Sequence, residues 1–226
     1  MTRGHRFGAR HACRLPALVG AVAMLVLGTH PALADDAVKA RPSAAPVDQP
    51  APLDLVKSSV SRALAIVRSE PDGAPRRAEI RKVAETLFDF NEMARRTLAQ
   101  HWIQRSLQEQ EEFVRLFADL LERSYLTTVG TSRLVTVTFQ GESVDGSSAR
   151  VRSRVVTERG AEIPMEYRLL QSGGRWAVYD VVVEGVSLIS SYRSQFNSII
   201  RTSSFEVLLD RLRNREPRLI PGRTAG

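Results

Sequence analysis

Three successive stretches of this chain alternate apolar and polar side chains with a period of two, and a glycine turn follows each one. In residues 133–140, Val135, Val137 and Phe139 lie on one side and Thr136 and Thr138 on the other. In residues 149–157, Val151 and Val155 oppose Arg150, Arg152 and Arg154. In residues 162–171, Ile163, Met165, Tyr167 and Leu169 oppose Glu162, Glu166 and Arg168. Successive strand side chains point to opposite faces, so such segments form strands with one dry and one wet face. Asp145-Gly146, Arg159-Gly160 and Gly173-Gly174 supply the turns, which makes the arrangement an antiparallel meander. A fourth stretch, residues 175–183, is apolar at Trp176, Val178, Val181, Val182 and Val183, as a strand covered on both faces would be.

The flanks have the helical period instead. Leu53, Val56, Val60, Leu64 and Val67 recur at spacings of three and four until Pro71 and Gly73 interrupt them. A second helix is expected from about Arg76 to Thr86. Asp89 with Glu92, and Ser106 with Glu109, have the spacing of capping boxes for a third and a fourth helix. The fourth has Phe113, Leu116, Phe117, Leu120, Leu121 and Tyr125 on one stripe. After the strands, Ser187 opens a helix with Ile189, Tyr192, Phe196, Ile199 and Ile200, and Ser203 with Glu206 opens the last. The fold class is therefore α+β: a four-stranded antiparallel meander covered on one face by helices. A curved sheet under helices leaves a natural apolar cavity between the layers.

The chain ends read differently. Arg3, Arg6, Arg10 and Arg14 precede an apolar run from Leu15 to Leu27, and Ala32-Leu33-Ala34 has the form of a cleavage site. Residues 1–34 are read as a secretory signal peptide cleaved after Ala34. The run falls short of the about 20 residues a bilayer span needs. The leader contains four arginines and no acid, so its removal lowers the formal charge from +7 to +3. That mild excess does not indicate a nucleic-acid partner. The sole cysteine, Cys13, leaves with the leader, which excludes disulfides and thiolate chemistry from the mature chain. Residues 35–52 form an Ala/Pro tether, residues 53–215 the folded domain, and residues 216–226 a frayed tail.

The mature chain has few catalytic groups. His101 is its one histidine and is read as a surface or packing residue beside Trp102, not a general base. There is no nucleophile elbow, no phosphate-binding glycine loop and no histidine pair at metal spacing. Asp180, set among apolar strand residues, is either a proton shuttle or a structural acceptor for a neighbouring loop. Asp89 is a helix cap, and Tyr167, Tyr179 and Tyr192 either meet a ligand or satisfy the core. Arg150, Arg152 and Arg154 form a row on the wet face, and Arg201, Arg211, Arg213 and Arg215 lie near the end. These arginines either keep the protein soluble or meet an anionic headgroup, an acidic partner or a membrane surface. No catalytic residue, metal or cofactor is expected.

Two stretches resemble the MlaC family of periplasmic phospholipid-binding proteins, also called toluene-tolerance auxiliary components. The first is FDFNEMARRTLAQHW, from Phe88 to Trp102, with the helix EQEEFVRLFADLLERSY that follows. The second is GGRWAVYDVVVEGVSLISSYRSQFNSIIRTSSFEVLLDRL, from Gly173 to Leu212, of which YDVVVEGVSLISSYRSQF is the most specific part. The family often has glycine where this chain has Ala99, a departure expected to lengthen the third helix. A related branch is associated with hopanoid lipids, and GVSLISSYRSQF favours the phospholipid branch.

The resemblance implies an NTF2-like, MlaC-like fold with a deep apolar cavity. It implies a monomeric periplasmic carrier moving phospholipid between an outer-membrane lipoprotein–porin complex and an inner-membrane ABC transporter with a substrate-binding ring. Outer-membrane lipid asymmetry is the implied outcome. The lining expected from the strands is Val135, Val137, Phe139, Val155, Met165, Tyr167 and Val178. From the facing helices it is Leu87, Met93, Leu98, Trp102, Phe117 and Leu121, with Tyr125, Val186, Ile189 and Tyr192. Two other readings stand beside this one. An NTF2-like isomerase or dehydratase would use Asp180 with Tyr167, and an adaptor would have a solid core.

Overall fold

The computed structural model describes residues 50–71, 73–126, 136–157 and 160–215. The expected leader, most of the tether, the tail and Val135 lie outside the described residues. The helices are α1 (Pro52–Ser69), α2 (Ala74–Leu87), α3 (Phe90–Leu98) and α4 (Leu107–Leu121) before the sheet. After it come α5 (Leu188–Thr202) and α6 (Phe205–Arg213). A 3-10 segment, Ala99–Gln104, joins α3 to α4, and a π-helical turn, Glu122–Leu126, extends α4.

Local chemistry sets most helix ends. Ser106 and Glu109 form the expected reciprocal capping box of α4. Asp89 caps α3 by accepting the Glu92 amide, while the Glu92 carboxylate turns outward to bond Arg95 and Arg96. Ser187 caps α5 as expected. The cap of α6 is Ser204, which accepts the Val207 amide, so the expected Ser203–Glu206 box is not used. Two adjacent serines give the chain a choice, and the second sits where its hydroxyl reaches the first turn. Ala99 does not lengthen α3. The helix stops at Leu98, and Ala99 takes a positive φ of 48°.

The sheet has five strands, not the four expected: β1 (Thr136–Asp145), β2 (Ser148–Val156), β3 (Glu162–Ser172), β4 (Arg175–Val183) and β5 (Val186–Ser187). They lie in chain order, each antiparallel to the next. The fifth strand is a two-residue edge that the helical period of the following segment hid. Gly173 and Gly174 close the β3–β4 hairpin with φ of 59° and 77°, values that glycine adopts without strain. Two irregularities bend the ladder. Gln140 is extra in β1, beside Gly141 with φ of 116°. Tyr179 is extra in β4, where Asp180 and Val178 pair with the adjacent Arg168 and Leu169. The second bulge keeps Val178 and Val181 on one face, and β4 is buried on both, as its composition suggested.

The buried residues fall into two clusters. One is wholly helical: Met93, Leu98, Phe113, Phe117, Tyr192, Phe196, Leu208 and their neighbours from α3, α4, α5 and α6. Its centre is a set of rings, with Phe117 5.2 Å from Tyr192 and 5.8 Å from both Phe113 and Phe196. The other cluster lies between the sheet and α1, and joins Val56 and Leu87 to Val151, Tyr167, Leu169, Trp176 and Val178. Phe88 packs against both clusters. It bridges to Val178, and the Asp89 amide donates to the Val178 carbonyl at 3.0 Å, which fixes the α2–α3 junction to β4.

Candidate functional site

One face of the sheet is closely packed at one end and only partly covered at the other. At the covered end Val151, Leu169 and Val178 are fully buried beneath Val56 of α1 and Leu87 of α2. The amide of Leu53 donates to Glu142 at 2.6 Å and pins the start of α1 to β1. At the other end Val137, Phe139, Val155, Ile163 and Met165 are only half-buried, and Val183 is 37% exposed. Cross-strand pairing lines these residues up. Phe139 pairs with Ser153, Ser153 with Met165, Met165 with Val183, and Val183 with Val186. Paired residues share a face, so a row that is apolar apart from Ser153 crosses all five strands. Val137, Val155 and Ile163 form the next row outward.

Other expected lining residues stand elsewhere. Tyr167, Val178 and Leu87 belong to the covered end of the same face. Met93, Leu98, Phe117, Leu121, Ile189 and Tyr192 sit in the helical core, with Trp102 half-buried against it. Tyr125 lies at the end of the π-helical turn and is 37% exposed. Val186 was expected on a helix; it is in β5 and 62% exposed, because the chain makes one more strand before α5 begins. The row also brings in Ser153 and Val183, which the expected lining omitted, and Ile163 joins from the row beside it. Ile163 was legible from alternation in β3. Val183 was not, because the Tyr179 bulge sets its face.

The opposite face is charged. Arg154 pairs with Glu162, and Arg168 bonds Glu166 at 2.9 Å and Asp180 at 3.2 Å. A cavity of about 340 Å³ involves Arg152, Glu166, Arg168, Pro164 and Val182. It is far below the on the order of 1,000 Å³ expected of a two-tail pocket. The enclosed deep cavity expected from sequence is not among what the described residues show; what they show is a partly exposed apolar row.

The candidate acid–base groups are occupied structurally. Asp180 is 3% exposed; its Oδ1 accepts the Ile189 amide, and its Oδ2 accepts the Ser187 hydroxyl and an Arg168 guanidinium proton. It thus holds the start of α5 to β4. His101 Nε2 lies 3.0 Å from Asn197 Oδ1, which joins the 3-10 segment to α5. Burial pushes the Tyr167 hydroxyl up from its ordinary pKa, with nearby Ser153 pulling weakly the other way. Burial likewise raises Tyr192, and the neighbouring Tyr125 adds to it. Both phenols stay protonated through neutral pH. Among the described residues no cluster of three His, Cys, Asp or Glu side chains has metal-binding geometry, and no helix is long and apolar enough to cross a membrane.

Comparison with known proteins agrees with this architecture. A solved phospholipid-binding protein from Ralstonia solanacearum, in complex with a phospholipid, superposes with a TM-score of 0.66 at 24% identity. The match covers 75% of this chain and 99% of that one. The toluene tolerance protein Ttg2D of Pseudomonas putida is 32% identical over 91 residues, 38% of this chain and 42% of that relative's length. The MlaC protein family matches residues 57–214, which runs from within α1 to the end of α6. The chain belongs to the MlaC family.

Proposed function

We propose that this chain is a periplasmic phospholipid carrier. It is exported by cleavage after Ala34, works as a monomer, and holds its lipid by the acyl tails. An inner-membrane ABC transporter with a substrate-binding ring and an outer-membrane lipoprotein–porin complex are its partners, and outer-membrane lipid asymmetry is its task. The observation that supports this reading is the half-bare apolar row Phe139–Met165–Val183–Val186 beside a fully packed helical core. A protein that needed only a core would cover that row. The phospholipid held by the Ralstonia protein of the same fold points the same way.

Energetics explain why an apolar floor suits the task. Burying apolar carbon is worth about 0.8 kcal/mol per methylene, so one ~16-carbon tail leaving a membrane loses roughly 13 kcal/mol. A carrier has to replace most of that with its own apolar wall. An isomerase or dehydratase would instead need a free acid or base in the site, and the Asp180 carboxylate is already committed to three donors.

Native mass spectrometry of gently purified mature protein tests the proposal. Co-purified diacyl lipid at one per chain is the expected result. Apo mass alone, across several mild preparations and after incubation with phospholipid vesicles, would overturn it.

A further inference from the structure

Ser153 is the one polar side chain in the row of five that crosses the sheet, and it is 1% exposed. Its hydroxyl has no hydrogen-bond partner of ordinary geometry among the described residues. The Tyr167 hydroxyl, at the diagonal position on β3, is near enough for Ser153 to act on it. Buried hydroxyls are almost always satisfied, so an unsatisfied one on an otherwise apolar floor marks a place where something else supplies an acceptor.

We infer that Ser153 and Tyr167 form a polar subsite that takes the ester carbonyl oxygen of an acyl lipid lying along the apolar row. The inference rests on the lipid-carrier reading and deepens it. Both hydroxyls are donors, and burial keeps the Tyr167 proton in place. A ligand group that accepts uses both protons. It must also be uncharged, because the guanidinium groups of Arg152 and Arg154 project from the other side of β2 by strand alternation. Among the described residues no cation stands on this floor to meet a phosphate. An ester carbonyl fits: it accepts strongly, donates nothing, and stands where the tail joins the glycerol. Tails then extend over Met165, Val155 and Ile163 while the headgroup stays toward water.

Paired lipids test this directly. A diester phosphatidylcholine and the diether lipid with the same chains and headgroup differ in the two carbonyl oxygens. Competition between them is read by native mass spectrometry of the wild-type protein, Ser153→Ala, and the double variant Ser153→Ala with Tyr167→Phe. Wild type is expected to prefer the diester by about tenfold, the scale of one or two hydrogen bonds. Ser153→Ala should lose most of that preference by weakening diester binding while diether binding stays near wild type. Lipid-free Ser153→Ala should unfold at the same temperature or higher, because it removes an unpaired buried hydroxyl. Equal binding of the two lipids by wild type overturns the subsite, as does a preference that survives in the double variant. A wild-type protein that takes up neither lipid overturns the carrier reading itself, and this inference with it.

Discussion

At the residue scale, Ala99 shows how one side chain can oppose its own backbone. The helix α3 stops at Leu98, and Ala99 adopts a φ of 48° to turn the chain into the 3-10 segment. A Cβ at positive φ clashes with the backbone and costs roughly 1–2 kcal/mol. Glycine removes that strain but adds about 0.5–1 kcal/mol of chain entropy to be lost on folding. The balance favours Ala99→Gly by about 0.5–1 kcal/mol. Urea unfolding should show a higher midpoint at unchanged slope; a lower midpoint would mean that Ala99 is not strained. The sequence could place the departure here but not its consequence. Alanine is the best helix former, so continuation of α3 was the natural expectation. Continuation would carry α3 past the point where Trp102 packs on the helical core and His101 meets Asn197. Tertiary contacts outweigh local propensity.

At the element scale, the two faces of one sheet divide the work. Met165 and Glu166 are neighbours in β3, yet Met165 lies in the apolar row and Glu166 pairs with Arg152 and Val182 on the charged side. A charge placed in this row or the one beside it has no counter-ion among the described residues and must be desolvated by any tail that covers it. Met165→Lys or Val137→Lys should therefore cut lipid occupancy at least about tenfold, whereas Arg152→Ala should leave it within about twofold. Lipid phosphorus per mole of purified protein measures this, and comparable losses in both kinds of variant would refute the assignment of faces. Alternation made these faces legible from sequence because the period of two in β2 and β3 has no ambiguity. The bulges at Gln140 and Tyr179 were not legible. Each adds one residue with little compositional mark, and the second determines that Val183 rather than Val182 faces the row. Helix periodicity has a similar limit. It showed that Phe117 and Tyr192 are buried, not that they meet each other at 5.2 Å instead of meeting the sheet.

At the scale of the whole molecule, the two apolar clusters differ in how much they need a ligand. The helical core of Phe113, Phe117, Tyr192 and Phe196 is closed on itself, with each of these four residues at 0% exposure. The sheet cluster is closed only where α1 covers it, and its outer rows stay half-bare. A lipid that binds the folded state alone stabilises it by about 2.7 kcal/mol at a hundred times its dissociation constant. For a domain of this size each 1 kcal/mol moves the melting temperature by roughly 2–4 °C, so stripping the lipid should lower it by about 5–10 °C. The loss should also be local. Amide hydrogen exchange should quicken in the ladder joining Val137, Val155 and Ile163, which borders the bare floor. The amides of α4 and α5 should keep their protection, because their packing does not involve the ligand. A stripped protein that melts where the loaded one does, or that loses protection evenly across sheet and helices, would contradict a lipid resting on this face. Local loss with a lowered melting point would mean that the fold stands on its helical core and leaves one end of its sheet to be completed by the cargo.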